Sequence, residues 1–376
     1  MKIGIDKIGF YVPRYYLDMT SLAKVRNQDV NKYKIGIGQH KMSVISPAED
    51  IVTMALEAAN SILTKEDKAA IDTILFATET AIDYSKAAGN YVHRMLGLQH
   101  NIRILELKQA CYAATGSLQL ALDYVQMQPD KKVLVLSSDV AWYGFNTPGE
   151  ATQGAGAIAM LVSSHPKLAE VHKGTFTTEE LPDFYRPSYQ EVPTVDGHLS
   201  IRCYNDMLKK VDPHKNFLYT CFHMPFANMA VKANKVYSHP ISDEKIDIVK
   251  AFTQEVGNIY NGSLFLSLIS VLSLAKESLE NETIGMFSYG SGAIGEFFSL
   301  TIQEGYEKVF NKQMMLKHLD DRDEIDFETY QRYMSFYKEK EVTHQFIESD
   351  FKPHPHNTFV LEQMIQGHRI YKKVSE

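Results

Sequence analysis

Each of four apolar segments that the sequence predicts as strands leads to a side chain that can take part in catalysis. These side chains are Glu79, Asp139, His223 and Ser291. In open α/β sheets the reactive site lies outside the carboxyl ends of the strands, so these groups are expected to face one cleft. A carboxylate and an imidazole in such a cleft can serve as general base, general acid or polarising group. Each also has a structural interpretation, because buried networks use the same residue types.

Cys111 adds a possible nucleophile. It stands between a predicted strand end and a helix of small and apolar residues that suits the interior of a protein. A buried helix directs its first N–H groups and the positive end of its dipole at whatever lies in front of it. We therefore expect this position to lower the pKa of the thiol and to activate it. The alternative is that Cys111 is simply a core residue, since free cysteine is among the most buried residue types.

The elements that would position these residues alternate between strand and helix. The predicted strands cover residues 3–12, 71–78, 102–107, 133–136, 155–162, 217–222, 283–289 and 296–303. The predicted helices cover 84–96, the segment after Cys111, 245–256 and 263–280. The alternation favours an α/β fold with a largely parallel sheet. Segments 32–42 and 170–200 are predicted as loops. A capping box of Ser46 and Glu49, with Pro47 at the first helical position, predicts a helix start.

Composition narrows the classes of function. The 376 residues carry a formal net charge of -7 and contain no block of basic residues, which argues against nucleic acid or an anionic membrane as the main partner. Three cysteines without a CxxC pattern argue against a disulfide framework and favour a reducing, cytoplasmic location. The N-terminus lacks a signal-peptide pattern. The apolar run 264–275 is too short to span a bilayer. We expect no metal site, and His354 and His356 are interpreted as incidental.

Six motifs, taken together, resemble the hydroxymethylglutaryl-CoA synthases of the short bacterial type, within the thiolase superfamily. They are ATETAID around Glu79, QACYAAT around Cys111, TQGAGAIAM at 152–160, FHMPF around His223, GNIYNGSLFLSLIS at 257–270 and SYGSGAIGEFFS at 288–299. The resemblance runs over nearly the whole chain and is weakest after about residue 303. It implies a thiolase-like fold of five αβαβα layers, built from two related halves and normally present as a homodimer. The halves would be 1–165, with Glu79 and Cys111, and 166–376, with His223, Asn258 and Ser291.

The resemblance also implies a role for each matching residue. Cys111 would accept the acetyl group, Glu79 would be the general acid/base, and His223 would hold and polarise the acetoacetyl group. The other matching positions are Asn258 near the thioester carbonyl, Ser291 with a backbone N–H that joins that of Cys111 in an oxyanion hole, Tyr143 and Arg186 in the active site, and Lys232 as a candidate for the CoA phosphates.

The activity that follows from the resemblance is the condensation of acetyl-CoA with acetoacetyl-CoA and water. The products would be 3-hydroxy-3-methylglutaryl-CoA and CoA, formed through an acetyl-Cys111 intermediate in the mevalonate route to isoprenoids. The thiolate attacks the thioester, and two backbone donors stabilise the oxyanion. Glu79, or a relay positioned beside it, removes a proton from the acetyl methyl group. The resulting enolate attacks the ketone, and water releases the product. This chemistry needs no metal and no redox cofactor.

Three alternatives remain at this stage. A polyketide-type relative would use the same residues on a β-ketoacyl group carried by a carrier protein. Two departures from the family pattern border the expected coenzyme channel and bear on this alternative: Asn228 stands where the family often has Lys, and the stretches on either side of His223 are short. A ketoacyl synthase of the same superfamily typically lacks a carboxylate at the position of Glu79. A catalytically silent scaffold subunit would not need Glu79, Cys111 and His223 together.

Overall fold

The computed structural model describes residues 1–338, 343–345 and 359–374. His354 and His356 lie outside the described residues. The first part of the chain contains seven strands and five helices, together with a π-helical turn at Lys32–Ile37 and a 3-10 turn at Glu150–Thr152. Its elements are β1 (Gly4–Tyr11), β2 (Tyr15–Asp18), α1 (Met19–Val25), β3 (Lys41–Val44), α2 (Ile51–Asn60), α3 (Lys65–Ala70), β4 (Ile71–Ala77), α4 (Gly89–Leu96), β5 (Arg103–Leu107), α5 (Ala113–Met127), β6 (Lys132–Val140) and β7 (Ala155–Ser163).

The second part continues the alternation, with 3-10 turns at Tyr260–Gly262 and Tyr306–Lys308. Its elements are β8 (Ala169–Thr178), β9 (Phe184–Tyr185), β10 (Thr194–Val195), α6 (Gly197–Val211), β11 (Tyr219–Phe222), α7 (Met229–Val236), α8 (Asp243–Val256), α9 (Ser263–Leu274), β12 (Thr283–Gly290), β13 (Ile294–Ile302), α10 (Lys312–Asp320), β14 (Asp323–Glu324), α11 (Phe327–Lys338), β15 (His344–Gln345), β16 (Phe359–Ile365) and β17 (His368–Lys373). The predicted boundary at 165/166 falls between β7 and β8 and stays a prediction.

A nine-stranded sheet organises the fold, in the order β11-β12-β13-β8-β1-β7-β6-β4-β5. The expectation of a largely parallel sheet is wrong. Only the pairs β4–β5, β4–β6 and β11–β12 of this sheet are parallel. The central pairs β6–β7, β7–β1, β1–β8, β8–β13 and β13–β12 are antiparallel. The reason lies in the connections. A crossover helix joins strands that run parallel, whereas the short turn between β12 and β13 forces them to run antiparallel.

Two buried helices position the site. In α5, residues such as Ala114, Leu118 and Ala121 are fully buried, and α9 is buried along nearly its whole length. These helices pack in the same hydrophobic core as the inner strands of both parts of the chain. Helix α9 is apolar nearly all round and must lie inside the protein, because no polar face is left for water. Helix α5 buries one face, whereas Leu120 and Met127 are exposed. The first turn of each helix is buried, so both N-terminal ends lie in the interior.

Several predicted elements differ from those observed. Segment 32–42 holds the π-helical turn and the first residues of β3. Segment 170–200 begins with most of the ten-residue strand β8 and also contains β9, β10 and the first turn of α6. The polar side chains of β8 hide the strand, and its backbone lies so close to β13 that a Cβ at Gly174 would meet the carbonyl oxygen of Phe297. The last predicted helix stops at Leu274 instead of residue 280.

The cap of α2 is also different from the predicted one. Asp50 is the N-cap residue, and its carboxylate accepts hydrogen bonds from the N–H groups of Val52 and Thr53. The Thr53 hydroxyl accepts from the Asp50 N–H in return and completes the capping box. The predicted bond from the Ser46 N–H to the Glu49 carboxylate is present, and this carboxylate also accepts from the Tyr11 phenol, but the helix begins only at Ile51.

Candidate active site

Cys111 lies on a tight turn between β5 and α5. The residue before it, Ala110, has φ +43, a left-handed conformation that costs free energy for a residue with a Cβ. Tyr112 is the N-cap of α5, and helix α5 begins at Ala113. Gly290, at the end of β12, packs against this turn so closely that a Cβ there would lie 2.6 Å from the Tyr112 Cβ. The strained turn is therefore held from both parts of the chain.

The thiol of Cys111 contacts Glu79. The Cys111 Sγ donates to the Glu79 Oε2 at 3.2 Å. Burial, reinforced by the negative charge of Asp139, raises the pKa of Glu79 from 4.5 to about 8. A carboxyl with this pKa exchanges its proton readily near neutral pH and can act as both acid and base.

The expected lowering of the Cys111 pKa is wrong for this structure. Burial, and then the neighbouring Glu79, raise the pKa of the thiol well above its usual value. Cys111 precedes the first residue of α5 by two positions. Desolvation next to carboxylates raises its pKa by more than the positive end of the helix dipole lowers it. The thiol is therefore protonated in the resting protein, and its activation requires that Glu79 or another group accept the proton.

Asp139 organises the segment around Glu79. Its Oδ1 accepts hydrogen bonds from the Glu79 N–H at 2.7 Å, from the Thr80 N–H and hydroxyl, and from the Thr78 hydroxyl. Its Oδ2 accepts from the Asn261 side chain and N–H. Asp139 is fully buried, and burial raises its pKa to about 6 despite these donors. The strand-end pattern contains Asp139 but assigns it no role, because its partners come from two distant segments, one around Thr80 and one at Asn261.

Asn261 links this network to the first turn of α5. Its side-chain oxygen accepts from the N–H of Ala114 in the first turn of α5, and its side-chain nitrogen donates to Asp139. One of the N–H groups that a helix leaves unpaired at its start is thereby satisfied. The sequence signal for Asn261 is its place in the motif GNIYNGS, directly after Tyr260, another residue with positive φ.

Tyr143 and Asn258 form a second pair beside the first. The Asn258 side-chain nitrogen donates to the Tyr143 hydroxyl at 3.0 Å, and its oxygen accepts from the Tyr260 N–H and the Ser263 hydroxyl. Burial, and then the nearby charges of Cys111 and Glu79, raise the pKa of Tyr143. The phenol therefore stays protonated. Two residues 115 positions apart are thus brought together at the cleft.

His223 follows β11 and is buried. The backbone N–H of His223 donates to the carbonyl of Phe287, and its backbone carbonyl accepts from the Tyr204 phenol. The ring nitrogen Nδ1 has no hydrogen-bond partner in the described part of the chain. Burial lowers the pKa of His223 from 6.5 to about 3, so the imidazole is neutral. A neutral, desolvated imidazole can donate a hydrogen bond to a carbonyl oxygen and stabilise the charge that develops there.

Ser291 begins the turn after β12. Its neighbours Tyr289 and Gly292 are held by Asp183, which accepts from the Tyr289 phenol at 2.6 Å and from the Gly292 N–H at 2.9 Å. Gly290, the residue before Ser291, lies against the turn of Cys111. Asp183 is a functional candidate that the sequence analysis does not identify. Its only sequence signal is that it precedes Arg186 by three residues.

Arg186 and Lys232 occupy the outer part of the region. The Arg186 guanidinium donates a hydrogen bond to the backbone carbonyl of Glu79. Its positive charge also lowers the pKa of the Glu79 side-chain carboxyl, but burial raises that pKa by more. Lys232 is exposed on α7. Asn228, at the start of α7, donates through its side chain to the carbonyls of Ile35 and Gly36, so this residue fastens the π-helical turn.

The arrangement combines a thiol, a carboxyl with a raised pKa, a neutral imidazole and several buried polar donors. These are the groups that acyl transfer through a thioester needs. Within the described residues, no cluster of His, Cys, Asp or Glu is arranged to hold a metal ion. In the same part of the chain, no helix has the length and apolar character that crossing a membrane requires.

Comparison with known families gives matches over both parts of the chain. The family model for the N-terminal part of hydroxymethylglutaryl-coenzyme A synthase matches residues 1–167, and the model for the C-terminal part matches residues 228–373. The hydroxymethylglutaryl-CoA synthase of Enterococcus faecalis is 44% identical over 348 residues, which cover 88% of this chain and 91% of that protein. A polyketide-biosynthesis 3-hydroxy-3-methylglutaryl-ACP synthase of Bacillus subtilis (strain 168) is 30% identical over 370 residues, 87% of each chain.

A solved structure agrees with these matches. A crystal structure of an HMG-CoA synthase complexed with CoA superposes with a TM-score of 0.92 at 37% identity and covers 100% of both chains. The likeness confirms the predicted thiolase-like α/β fold.

Proposed function

The chain belongs to the hydroxymethylglutaryl-CoA synthase family, and on that premise we propose that Cys111, Glu79 and His223 carry out its reaction. The reaction condenses acetyl-CoA with acetoacetyl-CoA and water, and it yields 3-hydroxy-3-methylglutaryl-CoA and CoA. The observation that carries the assignment of residues is the 3.2 Å contact between the Cys111 Sγ and a Glu79 carboxyl whose pKa is raised to about 8.

The first step is the transfer of the acetyl group to Cys111. The ionised fraction of Glu79 accepts the thiol proton, and the sulfur attacks the carbonyl carbon of acetyl-CoA. The backbone N–H groups of Cys111 and Ser291 would stabilise the tetrahedral oxyanion. Gly290 packed against the Cys111 turn supports this placement, since it brings the two backbone segments side by side. The intermediate collapses, the CoA sulfur leaves and Glu79 returns the proton to it.

The second step forms the carbon–carbon bond. Glu79 takes a proton from the methyl group of the acetyl-enzyme, and the enolate attacks the ketone carbon of acetoacetyl-CoA. His223 would donate a hydrogen bond to the ketone oxygen as negative charge develops there. Glu79 then gives this oxygen the proton that it took from the methyl group, and the oxygen becomes the hydroxyl of the product. Its neutral state supports this role, because a neutral imidazole has one ring nitrogen that donates. Water then cleaves the Cys111 thioester. These groups suffice without a metal or redox cofactor.

The test separates the two steps in a Glu79→Ala variant. Acetylation of Cys111 is measured by mass spectrometry after mixing with acetyl-CoA, and condensation by product formation after acetoacetyl-CoA is added. A thiol proton can pass to solvent, whereas a methyl proton cannot. We therefore expect slowed acetylation but a condensation rate lower by a further factor of about a hundred to ten thousand. Equal losses in both steps contradict the assignment.

Glu106→Ala is the matched control for this test. Glu106 is also a partly buried carboxyl with a raised pKa, and it accepts a hydrogen bond from the N–H of Ala88 instead of the thiol. We expect this variant to keep both activities. A loss as large as that of Glu79→Ala would show that the effect comes from disturbing the fold.

The use of CoA thioesters, instead of carrier-protein thioesters, follows from the comparisons. The identity is 44% with a synthase named for CoA and 30% with one named for the acyl carrier protein. Asn228 gives the carrier-protein alternative no support, because its side chain is engaged with the carbonyls of the π-helical turn.

We further propose that the protein is a homodimer that pairs through β5. This strand lies at the edge of the nine-stranded sheet, and Leu105 on it is 50% exposed. An edge strand with an exposed apolar side chain offers unpaired N–H and C=O groups to a second copy. Leu105→Glu should yield monomers in sedimentation velocity. Val25→Glu, at a 48% exposed site on α1, should leave the dimer intact. Dimers in both variants would contradict this interface.

We place the protein in the cytoplasm. Its cysteines, Cys111, Cys203 and Cys221, are all free, and the proposed chemistry requires a reduced thiol at the first of them. A reducing compartment preserves such thiols. Cell fractionation tests this location.

A further inference from the structure

Tyr112, the residue that follows the proposed nucleophile, is bonded to a buried carboxylate from the other part of the chain. Its phenol donates to the Glu296 Oε2 at 2.5 Å across 184 residues of sequence. Glu296 lies on β13 and is 3% exposed. Burial, followed by the charge of Glu296, raises the pKa of Tyr112, so the phenol keeps the proton that it donates.

The Tyr112 side chain is enclosed on both sides. A Cβ at Gly116, one turn along α5, would lie 3.0 Å from the Tyr112 ring. A Cβ at Gly290 would lie 2.6 Å from the Tyr112 Cβ and 2.8 Å from its backbone nitrogen. The ring therefore packs over the backbone of α5, and the Tyr112 backbone nitrogen lies against the end of β12.

Glu296 belongs to the hairpin that carries Ser291. In the register of β12 and β13, Glu296 lies opposite Ser288, three residues before Ser291. The bond from Tyr112 to Glu296 therefore joins the nucleophile turn to the hairpin whose turn holds the second proposed oxyanion donor. A buried carboxylate in a sheet is costly, and an apolar residue would stabilise the fold better unless the charge has a particular partner.

We propose that Glu296 is a positioning residue that acts through Tyr112 and fixes the distance between the N–H groups of Cys111 and Ser291. The proposal rests on the function proposed above. An oxyanion hole built from two segments works only while both donors reach the same oxygen, and a misplacement of about 1 Å can cost about a hundredfold in rate. The Tyr112–Glu296 bond is a side-chain hydrogen bond between the turn of Cys111 and the hairpin that carries Ser291.

The test compares four variants. Tyr112→Phe removes the donor, and Glu296→Leu removes the acceptor and its charge. Glu296→Gln keeps an oxygen that can accept the same bond. Tyr124→Phe is the matched control, because Tyr124 lies at the far end of α5 and its phenol donates to Asp72 at 2.6 Å, a bond equivalent to that of Tyr112. The rate of Cys111 acetylation is measured in single turnovers over a range of acetyl-CoA concentrations, and the midpoint of thermal unfolding is recorded alongside.

We expect Tyr112→Phe and Glu296→Leu to lower the maximal acetylation rate about tenfold to a hundredfold, with little change in the acetyl-CoA concentration at half-maximal rate. Glu296→Gln should recover most of the rate, and Tyr124→Phe should keep all of it. The proposal is overturned if Tyr112→Phe acetylates as fast as Tyr124→Phe, or if Glu296→Gln is as slow as Glu296→Leu. Should Glu296→Leu not fold, the other three variants still decide. Absence of acetylation in the wild-type protein would instead refute the proposed function itself.

Discussion

Glu79→Gln should make the protein more stable while it removes the proposed acid/base. The folded protein holds the pKa of Glu79 at about 8, whereas an exposed glutamate has a pKa of 4.5. Between these values the folded state binds a proton that the unfolded state has released, so stability falls as the pH rises. The loss is about 1.4 kcal/mol for each pH unit in this window, which amounts to about 3–4 kcal/mol between about pH 5 and pH 8. Glutamine has the same shape and no charge, so the variant avoids this loss.

The assay is equilibrium urea denaturation of the wild-type protein and Glu79→Gln at several pH values across this window. Trp142 is the only tryptophan and is buried beside Tyr143, so its fluorescence reports on the unfolding of the site region. We expect the two proteins to have similar stability near pH 5, with the variant gaining steadily toward pH 8. A difference that stays constant with pH refutes the argument, because it means that the pKa of Glu79 is not raised in the folded state. Stability lower than wild type at pH 8 refutes it as well.

Three further predictions follow from the same site. Because burial lowers the pKa of His223 to about 3, the pH profile of acetoacetyl-CoA consumption should show no titration near 6.5; a titration there that is absent in a His223→Gln variant contradicts a neutral imidazole. Tyr143→Phe leaves the buried Asn258 side-chain nitrogen without its partner, so we expect a loss of about 1–3 kcal/mol in the free energy of unfolding; unchanged stability in urea denaturation means that the bond contributes nothing. Asn228→Ala removes two bonds to the turn Lys32–Ile37, and amide hydrogen exchange in that turn should become faster; unchanged protection contradicts the fastening role.

The sequence indicates the strand-end residues well but not what surrounds them. Glu79 and His223 follow strands because apolar runs and their ends are local features of a sequence. The antiparallel centre of the sheet is not visible in the same way, since β8 is polar on its exposed face and pairs with a strand more than a hundred residues away. The Asp139 network escapes sequence reasoning for a related reason. A buried carboxylate is recognised by its donors, and those of Asp139 come from the segments around Thr80 and Asn261.

The charge state of the site is the part that local reasoning predicts least well. The position of Cys111 before a helix predicts a lowered pKa, yet burial beside Glu79 raises it. A helix end is visible in the sequence, whereas desolvation depends on every residue that closes the pocket. The Tyr112–Glu296 bond joins residues 184 positions apart, and nothing in either segment alone indicates the other.

The most direct test of the account is to locate the acetyl group after the protein is mixed with acetyl-CoA and to identify the product after acetoacetyl-CoA is added. We expect one acetyl group per chain on the peptide that contains Cys111 and its conversion to 3-hydroxy-3-methylglutaryl-CoA. The adduct should be absent in Cys111→Ala and present in Cys203→Ala, a buried cysteine on α6. An acetyl group that still forms on Cys111→Ala, or an acetylated wild-type protein that releases no product, would contradict the account.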